Sequence, residues 1–251
     1  GPRRPVLSGP MCGIAAIFAY HADASPVDVD ALGRIQNSMI ARGPDGDGLW
    51  LGDDRRVGLA HRRLSIIDLS AAAAQPMASS DGRFMISYNG EIYNYRELRR
   101  GLVDQGVKFH SDSDTEVILE LYRRDGAAAV DSLRGMYGFA IWDNQEQGLF
   151  LARDPYGIKP LYISDDGRSL RVASQVKALL AGGGIDTRPD PAGHAGYFLF
   201  GAVPEPATLY RGISALPAGH TMWVDASGTR KAKAYFDIGA ELRQGAAEAR
   251  E

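Results

Sequence analysis

Only one of the 251 residues is a cysteine, Cys12. That excludes a disulfide framework and a cysteine-based zinc site. No apolar run approaches the roughly 18 residues of a membrane-spanning helix, so no membrane partner is expected. An excess of positive charge is missing as well. Lys and Arg total 28 against 31 Asp and Glu, a net charge of −3, which removes the usual electrostatic reason to expect nucleic acid or an anionic membrane as partner. Lysine is scarce, 5 against 23 arginines, a bias that points to a GC-rich bacterial genome and no further. There is no apolar segment of the signal-peptide kind and no internal repeat, and a cytoplasmic location is expected. The hydrophobic fraction of 45% is that of a globular chain able to bury a core without staples.

The chain opens Gly1-Pro2-Arg3-Arg4-Pro5 and reaches Met11-Cys12-Gly13-Ile14. Three prolines and two glycines in ten residues make neither a helix nor a central strand. Residues 1–10 read as the scar of a cleaved purification tag, with Met11 as initiator; the rival is a natural propeptide removed before Cys12. The small apolar run 12–20 predicts a strand buried on both faces. Residues 28–41, 93–105, 175–181 and 190–200 predict helices, and Ser113-x-x-Glu116 has the form of a capping box. Residues 83–88 alternate as a strand that ends in an Asn89-Gly90 turn. Short strands are expected at 57–60 and 64–67. The four runs 137–142, 149–152, 161–164 and 170–173 read as one antiparallel meander. Strands near 221–224 and 231–236 close the fold, and 238–251 reads as the start of a linker. Grouped strands and helices give an α+β fold with packed sheets.

Chemistry is suggested at three places. A cysteine behind an initiator Met becomes the first residue when Met is removed. Its α-amine, with an ordinary pKa of about 7.7–8.0, then lies near a thiol of about 8.5 and can take its proton. No histidine is needed, and none of His21, His61, His110, His194 and His220 has a catalytic context; a buried strand cysteine is the plainer alternative. Asn89 and Gly90 offer two neutral donors, a side-chain NH2 and a backbone N–H, suited to a tetrahedral oxyanion, or simply a hairpin turn. Arg63 and Asp114 offer the cationic fork and the anion that select a free amino acid; taken singly, each reads equally as structural.

Several motifs stand in order along the chain: Met11-Cys12-Gly13-Ile14, Arg42-Gly43-Pro44-Asp45, His61-Arg62-Arg63-Leu64-Ser65-Ile66-Ile67-Asp68, Gln75-Pro76-Met77, Asn89-Gly90-Glu91-Ile92-Tyr93-Asn94, Ser113-Asp114-Thr115-Glu116, Arg153-Asp154-Pro155-Tyr156-Gly157-Ile158-Lys159-Pro160 and Leu216-Pro217-Ala218-Gly219-His220. Together they resemble the glutaminase domain of glutamine-hydrolysing asparagine synthetase, a class II glutamine amidotransferase, over residues 11–237. The resemblance implies a four-layer αββα N-terminal-nucleophile hydrolase fold and glutamine hydrolysis through a cysteinyl thioester. It implies Cys12 as nucleophile with its own α-amine as base, and Asn89 and Gly90 as oxyanion hole. It implies Arg63 on the glutamine carboxylate, Leu64, Ser65, Ile66 and Ile67 lining the pocket through backbone, and Glu91 with Asp114 on the amino group. Residues 154–161 are expected near a synthetase interface and the ammonia path. No cofactor is expected in this chain; ATP and Mg belong to the synthetase domain or subunit that would be its partner. A homodimer is left open.

Two departures from the family pattern matter. With Met11 in place, the Cys12 nitrogen is an amide and useless as a base, so little activity is expected until Cys12 is the first residue. Gly182-Gly183-Gly184 lacks the Ser and Asp context of a phosphate loop, so the acceptor site is expected elsewhere. The competing hypotheses are a silent docking or regulatory module and a general cysteine protease, which would want a histidine partner for the thiol.

Overall fold

The computed structural model describes residues 11–64, 73–228 and 232–248. Ser65, Ile66 and Ile67, which are all but the first residue of the predicted strand 64–67, and residues 1–10 lie outside the described residues. In chain order the elements are β1 (Gly13–Phe18), α1 (Val29–Asn37), β2 (Gly46–Leu51), β3 (Val57–Arg63), β4 (Met77–Ala78), β5 (Phe84–Ile92), α2 (Tyr95–Asp104), α3 (Asp114–Asp125), a 3-10 turn (Gly126–Ala128), α4 (Ala129–Ser132), β6 (Gly135–Asp143), β7 (Gly148–Arg153), β8 (Tyr162–Asp165), β9 (Leu170–Ala173), α5 (Val176–Gly182), α6 (Pro191–Phe200), β10 (Ser214–Ala215), β11 (His220–Val224), β12 (Ala232–Ala234) and α7 (Ile238–Glu248).

Two sheets result, β10-β8-β9-β1-β3-β2 and β12-β11-β7-β6-β5-β4, with antiparallel neighbours throughout. The period of two along each strand divides its side chains between layers. On β1, Ile14, Ala16 and Phe18 enter the core between the sheets, while Ala15 and Ile17 pack under α1 and α5. On β6, Ala140 and Trp142 face the first sheet, and Tyr137, Phe139 and Ile141 pack under α3. Three apolar layers therefore separate four structural ones, the expected αββα order.

The helices begin where the side chains permit. Asp28 caps α1 by accepting from Ala31 N–H, and Asp190 caps α6, with Pro191 at its first position. Ser113 caps α3 through Thr115 N–H at 3.1 Å. Glu116, however, reaches past Ser113 and accepts from His110 N–H, Ser111 N–H and the Ser111 hydroxyl at 2.6–2.8 Å. The capping box is thus replaced by a carboxylate that ties the incoming loop to the helix.

Two expectations are corrected, and one strand is added that the sequence did not announce. The added strand is β2. It is an edge strand, and its Gly48 is required by close approach, because a Cβ there would run into the Gln75 carbonyl. Asn89-Gly90 is no turn. Strand β5 continues through it to Ile92, with Asn89 paired to Gly138 and Gly90 to Tyr137. The four-strand meander is two hairpins in different sheets: β6–β7 in one and β8–β9 in the other. Alternation reveals a strand but not its sheet, and residues 154–161 carry the chain across the sandwich.

Candidate active site

The catalytic candidates gather at one end of the sandwich. Cys12 stands one residue before β1, in step with Ile14, Ala16 and Phe18. On β3, Val57 and Leu59 enter the same inter-sheet core, and His61 and Arg63 follow in step. On β5, Phe84, Ile86 and Tyr88 belong to the helical side. Ser87, Asn89 and Glu91 therefore face the first sheet, and the Ser87 hydroxyl donates across to the Ala60 carbonyl at 2.9 Å. The His61 ring Nε2 meets the Tyr88 carbonyl at 3.1 Å, a second strut between the sheets.

The Cys12 sulfur is held by Leu64, whose N–H donates to Sγ at 3.3 Å while the thiol lies 3.6 Å from the Leu64 carbonyl. Burial pushes the thiol up from its ordinary range; the Leu64 bond and the charges of Lys159, Arg42 and Arg63 act against that push. Arg42 Nε donates to the Cys12 carbonyl at 3.0 Å, and its own carbonyl accepts from Met11 N–H at 2.9 Å. Burial holds the Arg42 guanidinium below its usual range.

Asp114 lies one layer back, at the start of α3. Its Oδ2 accepts from the Tyr88 hydroxyl at 2.7 Å and from Ile92 N–H at 3.0 Å. Burial raises its carboxyl, both hydrogen bonds oppose the rise, and the neighbouring Glu91 charge adds to it. Glu91 is the more open carboxylate of the two. Tyr88 is itself tied at its backbone, its N–H donating to Gln75 Oε1 at 2.6 Å. Gly90 has no room for a side chain, since a Cβ would meet the Met136 carbonyl and stand 2.9 Å from Tyr137 Cα.

Buried polar atoms almost always have partners. Among the described residues six buried side-chain atoms have none, and three of them, Arg42 Nη2, His61 Nδ1 and Asn89 Nδ2, belong to this end of the sandwich. Asn89 is 2% exposed, so its unpaired NH2 is a fixed donor held out of water. No hydrogen bond joins a histidine ring to the Cys12 sulfur among the described residues, which leaves the protease-like arrangement without its base. His61 is a neutral strut, its ring driven down to about 4 by burial first and by Arg63.

The sequence profile of the glutamine amidotransferase domain matches residues 11–236. The chain belongs to that family. Asparagine synthetase [glutamine-hydrolyzing] 1 of Bacillus subtilis is 40% identical over 227 residues, which are 90% of this chain and 35% of that protein. Asparagine synthetase B [glutamine-hydrolyzing] of Escherichia coli is 40% identical over 171 residues, 68% of this chain and 30% of that one. The amidotransferase domain thus spans about a third of the length of these relatives. In fold it is similar to the glutamine phosphoribosylpyrophosphate amidotransferase of B. subtilis, with a TM-score of 0.60 at 21% identity over 90% of this chain and 50% of that one. The fold is that of the N-terminal-nucleophile hydrolases.

Three residues of the candidate site were given no role from the sequence. His61 was visible only as a member of a quoted motif, and Tyr88 only as the last residue of the predicted strand 83–88. Lys159 sits in the Ile158-Lys159-Pro160 run, and nothing in its spacing announces that it is buried beside Cys12.

Proposed function

We propose that this domain hydrolyses glutamine to glutamate and ammonia through a thioester on Cys12. With Met11 removed, the Cys12 α-amine takes the thiol proton and Sγ attacks the side-chain amide carbon. The oxyanion is received by Asn89 Nδ2 and the Gly90 N–H. The protonated amine returns its proton to the leaving nitrogen, ammonia departs, and water then cleaves the thioester to release glutamate. Arg63 takes the substrate carboxylate, the Leu64 backbone lines the pocket, and Glu91 with Asp114 receives the amino group. The ammonia goes to an ATP-dependent, Mg-using amide-forming domain or subunit of the asparagine-synthetase kind.

The observation that carries this reading is the unpaired, buried Nδ2 of Asn89 on the face that looks toward the Cys12 strand. A structural asparagine at that depth would have a partner. The test compares three chains for ammonia release from glutamine: one beginning at Cys12, one retaining residues 1–11, and Cys12→Ala. The first is expected to be active and labelled at Cys12 by a diazo-oxo-norleucine. The second is expected to be nearly silent, and the third to lose at least about a thousandfold. A docking module would give neither ammonia nor labelling from the chain that begins at Cys12.

A further inference from the structure

Lys159 is 6% exposed, an uncommon setting for a lysine. Its main chain is held on both sides: Arg153 Nε donates to its carbonyl at 2.9 Å, and its N–H donates to Asp154 Oδ2 at 2.9 Å. Both holders are themselves fixed. Arg153 is forked onto Glu205 at 2.7 and 2.9 Å. Asp154, fully buried, also accepts from Tyr137, Tyr156 and Ile158 N–H. The loop passes over Gly138, the cross-strand partner of Asn89; a Cβ on Gly138 would stand 3.8 Å from Lys159 Cβ. This scaffolding delivers one ammonium, whose Nζ donates to Met11 Sδ at 3.0 Å. Among the described residues no carboxylate lies within ion-pair distance of it.

We propose that Lys159 is a positioning residue for the nucleophile: with Met11 gone, its ammonium stands beside Cys12, keeps the resting α-amine neutral and stabilises the sulfur as it ionises by passing its proton to that amine. The proposal deepens the cysteine mechanism above and rests on it. The charged and titratable groups facing this pair are Arg42 after α1, Arg63 on β3, Tyr88 and Glu91 on β5, and Asp154. Arg42 and Arg63 act on the sulfur with the same sign as Lys159. Burial and Arg42 work to strip the Lys159 proton, while Cys12, Asp154 and Glu91 work to keep it. A cation that far out of water acts on its neighbours with little screening.

The experiment uses Lys159→Met and Lys159→Arg in the chain that begins at Cys12. Because Cys12 is the one cysteine, its alkylation by iodoacetamide as a function of pH reads the sulfur directly. Lys159→Met is expected to move that profile up by about one pH unit. The rising limb of glutamine hydrolysis should move the same way, with about a tenfold loss near neutrality that closes at high pH. Lys159→Arg should restore most of both. An unmoved alkylation profile, or a loss equal at every pH with arginine no better than methionine, would overturn the proposal in favour of packing alone. If the parent chain releases no ammonia, the glutaminase reading fails while the alkylation profile still decides the role of Lys159.

Discussion

The two sheets bring their parts to the site in opposite ways. The first offers Cys12 at the beginning of a strand, before the ladder of β1 starts, where its backbone nitrogen need not serve the sheet. The second offers Asn89, Gly90 and Glu91 inside a strand, locked by pairing with Gly138, Tyr137 and Met136. A nucleophile that uses its own amine needs freedom at one end. An oxyanion donor needs the reverse, because a donor already aimed costs nothing to reorganise as charge develops. The difference predicts that damage to the second sheet's share falls on the rate of the chemical step.

Asn89→Ala tests that most sharply. With Nδ2 unpaired, the substitution removes no hydrogen bond of that atom from the resting protein. It should lower kcat by about 10²–10³ and leave KM nearly unchanged. Thermal unfolding should show no matching loss. A rise in KM with kcat intact would make Asn89 a ground-state binding residue and erase the contrast between the sheets.

The parts of this arrangement that follow simple rules were legible in the sequence. A continuous small apolar run predicts β1, period-two alternation predicts β5, turn-bounded apolar runs predict β6 and β7, and the Ser113 cap predicts where α3 begins. Rules that look only at neighbours failed where distant contacts decide. Asn-Gly reads as a turn, yet Gly90 is a glycine because the Met136 carbonyl occupies the space of its side chain. The edge strand β2 went unread because its Gly48 answers to the Gln75 carbonyl rather than to a local pattern. Lys159 is the extreme case. Its place beside Cys12 is set by Arg153, Asp154 and Glu205, and the last of these is 46 residues further along the chain.

His61 tests whether the sheets are joined as tightly as the site requires. It is neutral in the folded protein, with its ring held down to about 4 against an ordinary 6.5. Between those values the unfolded chain binds a proton that the folded chain does not. Stability is therefore complete above pH 6.5 and lost as pH falls, by about 3 kcal/mol once pH reaches 4. Urea unfolding at pH 7 and at pH 4.5 should show most of that difference. In His61→Asn the pH dependence should flatten by a similar amount. An unchanged slope would mean that other groups carry the acid sensitivity and that the strut to Tyr88 is not protonation-linked.

Tyr88→Phe should have the smallest effect and the most specific one. Its hydroxyl donates to Asp114, one layer behind β5, and not to Cys12 or Asn89. Removing it leaves Asp114 with Ile92 N–H on Oδ2 and with its burial less fully compensated, so its carboxyl rises further. Where Asp114 helps receive the substrate ammonium, the result is weaker glutamine binding: about a fivefold rise in KM, near 1 kcal/mol, with kcat preserved. The sign with pH is fixed too. A carboxylate with a raised pKa is lost first as pH falls, so the KM defect should grow toward acid and shrink toward pH 8. Steady-state kinetics across that range separate the outcomes. A fall in kcat at constant KM would show that Tyr88 acts through its neighbour Asn89 along the strand, and that binding and chemistry on the second sheet are one function.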